Sequence, residues 1–255
     1  MGFLTNDPDI VESMSLMPRT VGNELSGEKV TFTKTTKDTA CQSLEFVTIL
    51  DPEDGIFPHR HTYLTEVFEI LEGELTLRLN RETLHLKAGD QQSSVVVPPY
   101  VTHSFWNHTD QVTRFKVTMS PAGDFEPFIR IGYGLENDQL TFNYKRFPVR
   151  GKYPLFRRAL RALESILGVV PKSPLMVGIL GKLGGTYAPV IPIVLQKMMI
   201  HLLAAVAVRL GKDRDVEKYF LKNGTKEGVE LGATYGTQPN PQQHTADRSV
   251  EVDDR

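Results

Sequence analysis

The chain has 255 residues, 40% of them hydrophobic and 24% charged, which is the make-up of a globular protein with room for one large domain and an appendage. Its 29 basic and 31 acidic residues leave a net charge of -2, so there is no electrostatic case for nucleic-acid binding. The single cysteine, Cys41, excludes an intramolecular disulfide and fits a reducing compartment.

The N-terminal residues 1–27 are mixed and turn-rich, a lead-in without the basic-then-apolar build of a secretory signal. A cytoplasmic protein is the expectation. From about residue 28 the text breaks into short strand-like units: 29–37, SLEFVTIL (43–50), EVFEIL (66–71), ELTLRLN (74–80), ETLHLKAGD (82–90), SSVVVPP (93–99) and VTRFKVTMS (112–120). Turn signals separate them and no helical periodicity intervenes, which predicts a β-sandwich or small barrel spanning 28–125. No internal repeat is present, so one copy of that barrel is expected.

After the strands the pattern changes. DFEPFIRIGYGLEN (124–137) reads as a short helix, and YPLFRRALRALESILGVV (153–170) as an amphipathic one. A glycine- and proline-bearing loop is expected next, followed by a helix in IPIVLQKMMIHLLAAVAVRL (191–210). Gln196, Lys197, His201 and Arg209 argue against a membrane span there, although contact with a membrane surface fits the basic amphipathic stretches. Residues 126–225 are thus read as a helical extension that caps the barrel or builds a homodimer. Residues 226–255, poor in large apolar side chains, are read as a disordered tail. The run GILGKLGG (178–185) matches no phosphate-binding pattern.

The chemistry is concentrated in FPHRHTYLTEVFEILEGE (57–74) and PPYVTHSFWN (98–107). His59 and His61 are two apart, so on an extended strand both imidazoles face one side. Glu66 follows His61 after a bend, and His103 opens a later strand. Two readings stand: unrelated strand histidines, or a shell of three imidazoles and one carboxylate for a divalent transition metal with positions left open.

The joint pattern, His59-x-His61-x4-Glu66-x6-Gly73 with Gly89 and then Pro98-x-Tyr100-x2-His103-x3-Asn107, resembles the two motifs of the cupin superfamily over roughly residues 40–120. The resemblance implies a mainly β fold, a double-stranded β-helix (jelly-roll) barrel with the helices as a C-terminal extension. It implies His59, His61, Glu66 and His103 as ligands of one divalent metal ion, Fe(II) first, with Zn(II), Mn(II) or Ni(II) as alternatives. There are two departures: Gly55 lies closer to His59 than in the family, implying a tighter opening turn. Tyr100 stands where the family has glycine, implying a turn built differently.

By strand alternation Phe68 and Ile70 share the side of Glu66, and Phe105 and Asn107 that of His103. All four are candidates for a substrate pocket, with simple barrel core as the other reading. Glu66 and Tyr63 are the candidates for moving a proton. Three functions remain open: a dioxygenase-like enzyme on a small hydrophobic, enolic or phenolic molecule; a non-redox isomerase, cyclase or lyase on the same shell; and a non-catalytic small-molecule binder.

Overall fold

A computed structural model of the chain describes residues 4–22, 29–142, 159, 163–164 and 166–212. Most of the helix expected over 153–170, and the whole of the tail expected at 226–255, lie outside the described residues.

Alternation of apolar and polar side chains builds two antiparallel sheets. The first holds β1 (Thr20–Gly22), β2 (Lys29–Lys34), β3 (Leu44–Leu50), β10 (Thr113–Ser120), β5 (Thr65–Glu72) and β8 (Ser94–Val97), in that spatial order. The second runs β11 (Thr186–Tyr187), β4 (Gly55–His61), β9 (His103–Trp106), β6 (Glu74–Leu79) and β7 (Glu82–Lys87). In β5 and β10 every second residue is buried, the period of a sheet packed on one face. The inward side chains, among them Phe32, Phe68, Phe115, Leu75 and Leu77, fill the space between the sheets. Gly73 makes the β5–β6 turn at φ +78°, where a Cβ would lie 2.9 Å from the Val112 carbonyl oxygen.

Two strands come from outside the stretch expected to form the barrel. β1, from the lead-in, pairs with β2 and sets Val21 opposite Val30. β11, from the extension, pairs with β4 and sets Thr186 opposite His61.

Four helices are described along their whole length: α1 (Pro8–Ser15), α2 (Phe125–Asn137), α3 (Pro174–Gly184) and α4 (Ile193–Arg209). α2 is anchored by buried polar groups. Asp124 accepts from the Leu4 and Thr5 amides at 2.9 and 2.8 Å, fixing the N-terminal segment. The fully buried Arg130 donates to Glu126 from Nε and Nη2 at 3.0 and 2.8 Å and to the Pro18 carbonyl at 3.0 Å, and Glu126 accepts from the Thr36 amide at 2.7 Å.

α3 corrects the loop expected there. Pro174 occupies its first turn, where a missing N–H is harmless, and Gly185 ends it at φ +56°. The glycines serve close packing: a Cβ on Gly178 would lie 2.5 Å from the Ala204 amide nitrogen, and one on Gly184 2.8 Å from the Phe128 ring. Intrinsic propensity, about 1 kcal/mol against each helical glycine, yields here to the approach of α4 and α2.

Tyr100 is a second correction. The turn is not built differently; Tyr100 itself adopts the left-handed conformation at φ +67°. Its amide donates to the His61 carbonyl at 2.7 Å, so the turn is tied to β4, and its side chain stays exposed. A left-handed non-glycine residue costs about 1–2 kcal/mol, partly offset in the comparison by the greater entropy of glycine in the unfolded chain. Tyr100→Gly is therefore expected to stabilise the protein by up to about 1 kcal/mol and to raise Tm by about 2–4 °C. An unchanged or lowered midpoint in thermal melts would show that the side chain, and not the backbone, governs this turn.

Candidate metal centre

Strand geometry brings the four polar residues together from both sheets. In β4, His59 and His61 point inward while Arg60 between them is only half-buried. Antiparallel register sets His103 of β9 directly opposite His59. Glu66, near the start of β5, arrives from the facing sheet, where it pairs with Val97 and Met119. All four side chains are buried, and one ligand atom from each lies within 4.8 Å of the others. The His59 and His103 rings are 4.2 Å apart and those of His61 and His103 5.6 Å.

The outer ring nitrogens are engaged by acceptors. His59 Nδ1 lies 2.9 Å from the Phe57 carbonyl and His103 Nδ1 3.2 Å from that of Val101; a carbonyl only accepts, so both rings carry a proton on Nδ1. His61 Nδ1 lies 3.2 Å from Thr186 Oγ1. The Thr186 hydroxyl donates its one proton to the Gly184 carbonyl at 3.2 Å, which leaves its oxygen to accept from His61. In this tautomer each ring turns Nε2 inward.

Inward, Glu66 Oε2 lies 2.7 Å from His103 Nε2 and 3.4 Å from His61 Nε2, without the alignment of hydrogen bonds. These three atoms are sealed from solvent and have no hydrogen-bond partner among the described residues. Buried polar atoms are normally satisfied. Three imidazoles and a carboxylate converging this way, with bonded outer nitrogens, fit a divalent transition metal.

The charges agree with that fit. Burial pushes the Glu66 carboxyl up, but His61 and His103 outweigh it and hold the group well below the usual carboxylate range. Burial, then the neighbouring His103 and His61, keeps His59 well below the ordinary imidazole value, so it stays neutral with its lone pair available. Burial lowers His103 too, yet the adjacent Glu66 carboxylate prevails and raises it. The site therefore attracts a cation, and a metal ion competes with the proton drawn to His103.

A cavity of about 270 Å³ adjoins the cluster. Phe68 lies 6.2 Å ring to ring from His103, and Phe125 of α2 lies 5.9 Å from His61. Phe105 and Phe115 continue that wall, and Phe128, Gly132 and Val169 from the extension close it. Of the pocket candidates, Phe68 and Phe105 line the cavity. Ile70 is buried in the core. Asn107 donates to the Leu50 and Gln111 carbonyls at 3.1 and 2.6 Å and accepts from the Thr109 amide at 3.0 Å, which ties a loop. Tyr63 packs its ring on Gly185 and beside Gly123, and burial, then Asp124 and Tyr187, push its hydroxyl up. None of these last three is among the cavity-lining residues.

Sequence reasoning missed Thr186, Phe125 and Phe128. Phe125 and Phe128 are three apart at the start of an amphipathic helix, a spacing that signals a shared face. Nothing in the sequence signals Thr186, because only the β11–β4 pairing brings it to His61.

Residues 46–119 match the cupin domain family. No curated protein matches the chain. Among solved structures, an uncharacterized conserved protein with a double-stranded β-helix domain from Klebsiella pneumoniae is 21% identical, covering 40% of this chain and 84% of its own, at a TM-score of 0.33. A predicted oxalate decarboxylase from Thermotoga maritima is 20% identical over 42% of this chain and 95% of its own, at 0.35. A point mutant of the salicylate 1,2-dioxygenase from Pseudoaminobacter salicylatoxidans is 22% identical over 31% and 23%, at 0.29. The matched segment, with its two facing antiparallel sheets and buried His-His-Glu-His group, identifies residues 46–119 as a cupin domain.

Proposed function

We propose that this chain is a metal-dependent enzyme acting on a small hydrophobic molecule of enolic or phenolic type, and that its reaction is an oxygenation. The observation that carries the reading is the convergence of three imidazoles and one carboxylate, with His61 Nε2, Glu66 Oε2 and His103 Nε2 lacking a hydrogen-bond partner among the described residues, beside a phenylalanine-lined cavity. In this reading His59, His61, Glu66 and His103 hold the ion. Such an ion, Fe(II) by preference, supplies open coordination positions and redox chemistry where an electron-rich substrate meets dioxygen.

The chain's own residues supply the rest. Phe68, Phe105 and Phe125 bind the apolar body of the substrate and exclude water. Glu66, itself one of the four, is the group of the cluster placed to take an enol or phenol proton at a carboxylate oxygen. Tyr63 supports the wall from behind by its packing on Gly185. Hydrocarbon flanking the imidazoles suits oxygen addition, which needs no second acid or base at that position. A second reading, isomerisation, cyclisation or lysis without redox change, draws on the carboxylates elsewhere in the cavity wall, Asp51, Asp54, Glu136 and Glu164, as proton carriers.

Elemental analysis of untagged protein is expected to find near-stoichiometric transition metal that His103→Ala loses while circular dichroism stays unchanged. Thr186→Val, which removes the acceptor for His61 Nδ1, is expected to weaken metal affinity by roughly 10–100-fold without abolishing it. Metal retained in full by His103→Ala would refute the ligand assignment.

Oxygen-electrode measurements on the Fe(II)-loaded protein with phenolic and enolic compounds should show uptake stoichiometric with product. Turnover that proceeds equally well under argon would replace oxygenation by the non-redox reading.

A further inference from the structure

α4 is apolar on nearly every side, yet among the described residues only one side is covered. Gln196, Ile200, Ala204 and Ala207 face the interior, where Gly178 and Gly181 of α3 let the helix approach. The opposite side exposes Val194 (79%), Met198 (63%) and Leu202 (65%), flanked by Leu195, Met199 and Val206. Val190, 88% exposed in the preceding loop, extends the patch. A helix of this composition is ordinarily covered all round, and a contiguous apolar surface of this kind marks an interaction site.

Charge selects the occupant. Between Glu164 and Asp213 the sequence contains no Asp or Glu, while Lys172, Lys182, Lys197, Arg209 and Lys212 are all basic, in a chain of net charge -2. Helical spacing places Arg209 seven residues from Leu202 and eleven from Met198, on the same exposed side, and Lys197 and His201 along one flank. A second copy docked face to face would set Arg209, and Lys197 on the flank, against the like charges of a partner helix that carries no acid of its own. An anionic lipid surface satisfies both features: acyl chains receive Met, Leu and Val, and phosphates receive Lys and Arg. The 17-residue helix is about 25 Å long. Among the described residues no helix is long and apolar enough to cross a membrane, so the fitting orientation is flat. We propose that α4 docks this protein in the plane of an anionic phospholipid surface, with Met198 and Leu202 inserted and Lys197 and Arg209 at the headgroups.

The test is flotation of the full chain with vesicles of phosphatidylcholine alone or of phosphatidylcholine with one quarter phosphatidylglycerol. The protein is expected to float with the anionic vesicles, to float poorly with the neutral ones, and to be released by salt. Lys197→Gln and Arg209→Gln should each weaken partitioning about fivefold. The exposed double substitution Met198→Glu/Leu202→Glu should abolish it while circular dichroism and metal content stay unchanged. Absence of flotation with both compositions, or undiminished flotation of the double variant, overturns the proposal. So does a dimer in light scattering that the double variant dissociates while the wild type ignores vesicles, since a second copy then covers the face.

Discussion

The approach of Glu66 to His103, 2.7 Å apart and sealed from water, sets the terms for the protein around it. A buried carboxylate loses several kcal/mol of hydration, and only partners of opposite charge or a bound cation restore it. The partners here cannot come from one strand. Alternation gives β4 two inward imidazoles, the β4–β9 register gives a third, and the facing sheet gives the carboxylate. The register of both sheets is therefore tied to the site: a one-residue slip in β4 would turn His59 and His61 outward and bring Arg60 in. Packing of Phe68, Phe105 and Phe115 against one another, with ring centroids 5.3–6.1 Å apart, keeps the sheets at a fixed spacing behind the cluster.

The cupin segment does not complete this arrangement alone. The acceptor that orients His61 is Thr186 in β11, and Phe125, which faces His61, and Phe128, which packs on Phe125 and helps close the cavity, belong to α2. The chain before the barrel contributes as well: Leu4 and Thr5 bind Asp124, and Pro18 binds Arg130, so the N-terminal segment holds the base of α2. These hydrogen bonds join residues more than a hundred positions apart. The helical extension is accordingly part of the site's wall, whatever else its outer surface does.

Much of this was legible because it depends on local spacing. The i, i+2 pair of histidines needed only strand period, and the burial of Glu66, Phe68 and Ile70 on one side of β5 follows the same rule. What period cannot give is which inward residues reach a cavity. Ile70 and Phe68 share a face and both are buried, yet Phe68 lines the cavity beside His103 and Ile70 does not. Asn107 is inward at the end of β9, but the chain turns there, and its amide is taken up by the turn. α3 was hidden because glycine's helix cost is local while the packing that offsets it, against Ala204 and Phe128, is not. Tyr100 was misread for a related reason: a φ of +67° strongly favours glycine without requiring it, provided the side chain has open solvent.

The exposed helix and the buried site share a short mechanical connection. Gln196 of α4 donates to the Ala188 and Ile191 carbonyls at 2.9 and 2.8 Å and accepts from the Ala188 amide at 2.9 Å. Ala188 follows directly on β11, which carries Thr186 against His61. A rigid-body shift of α4 thus has two outcomes: either the Gln196 bonds break, leaving a buried amide unsatisfied at a cost of about 1–3 kcal/mol, or β11 moves with it. The first is disfavoured by the burial of Gln196, and the second displaces the hydroxyl that fixes the tautomer of an imidazole in the cluster. The same residues that seat α4 on the protein therefore limit how far its outer face can be loaded without the geometry at His61 responding.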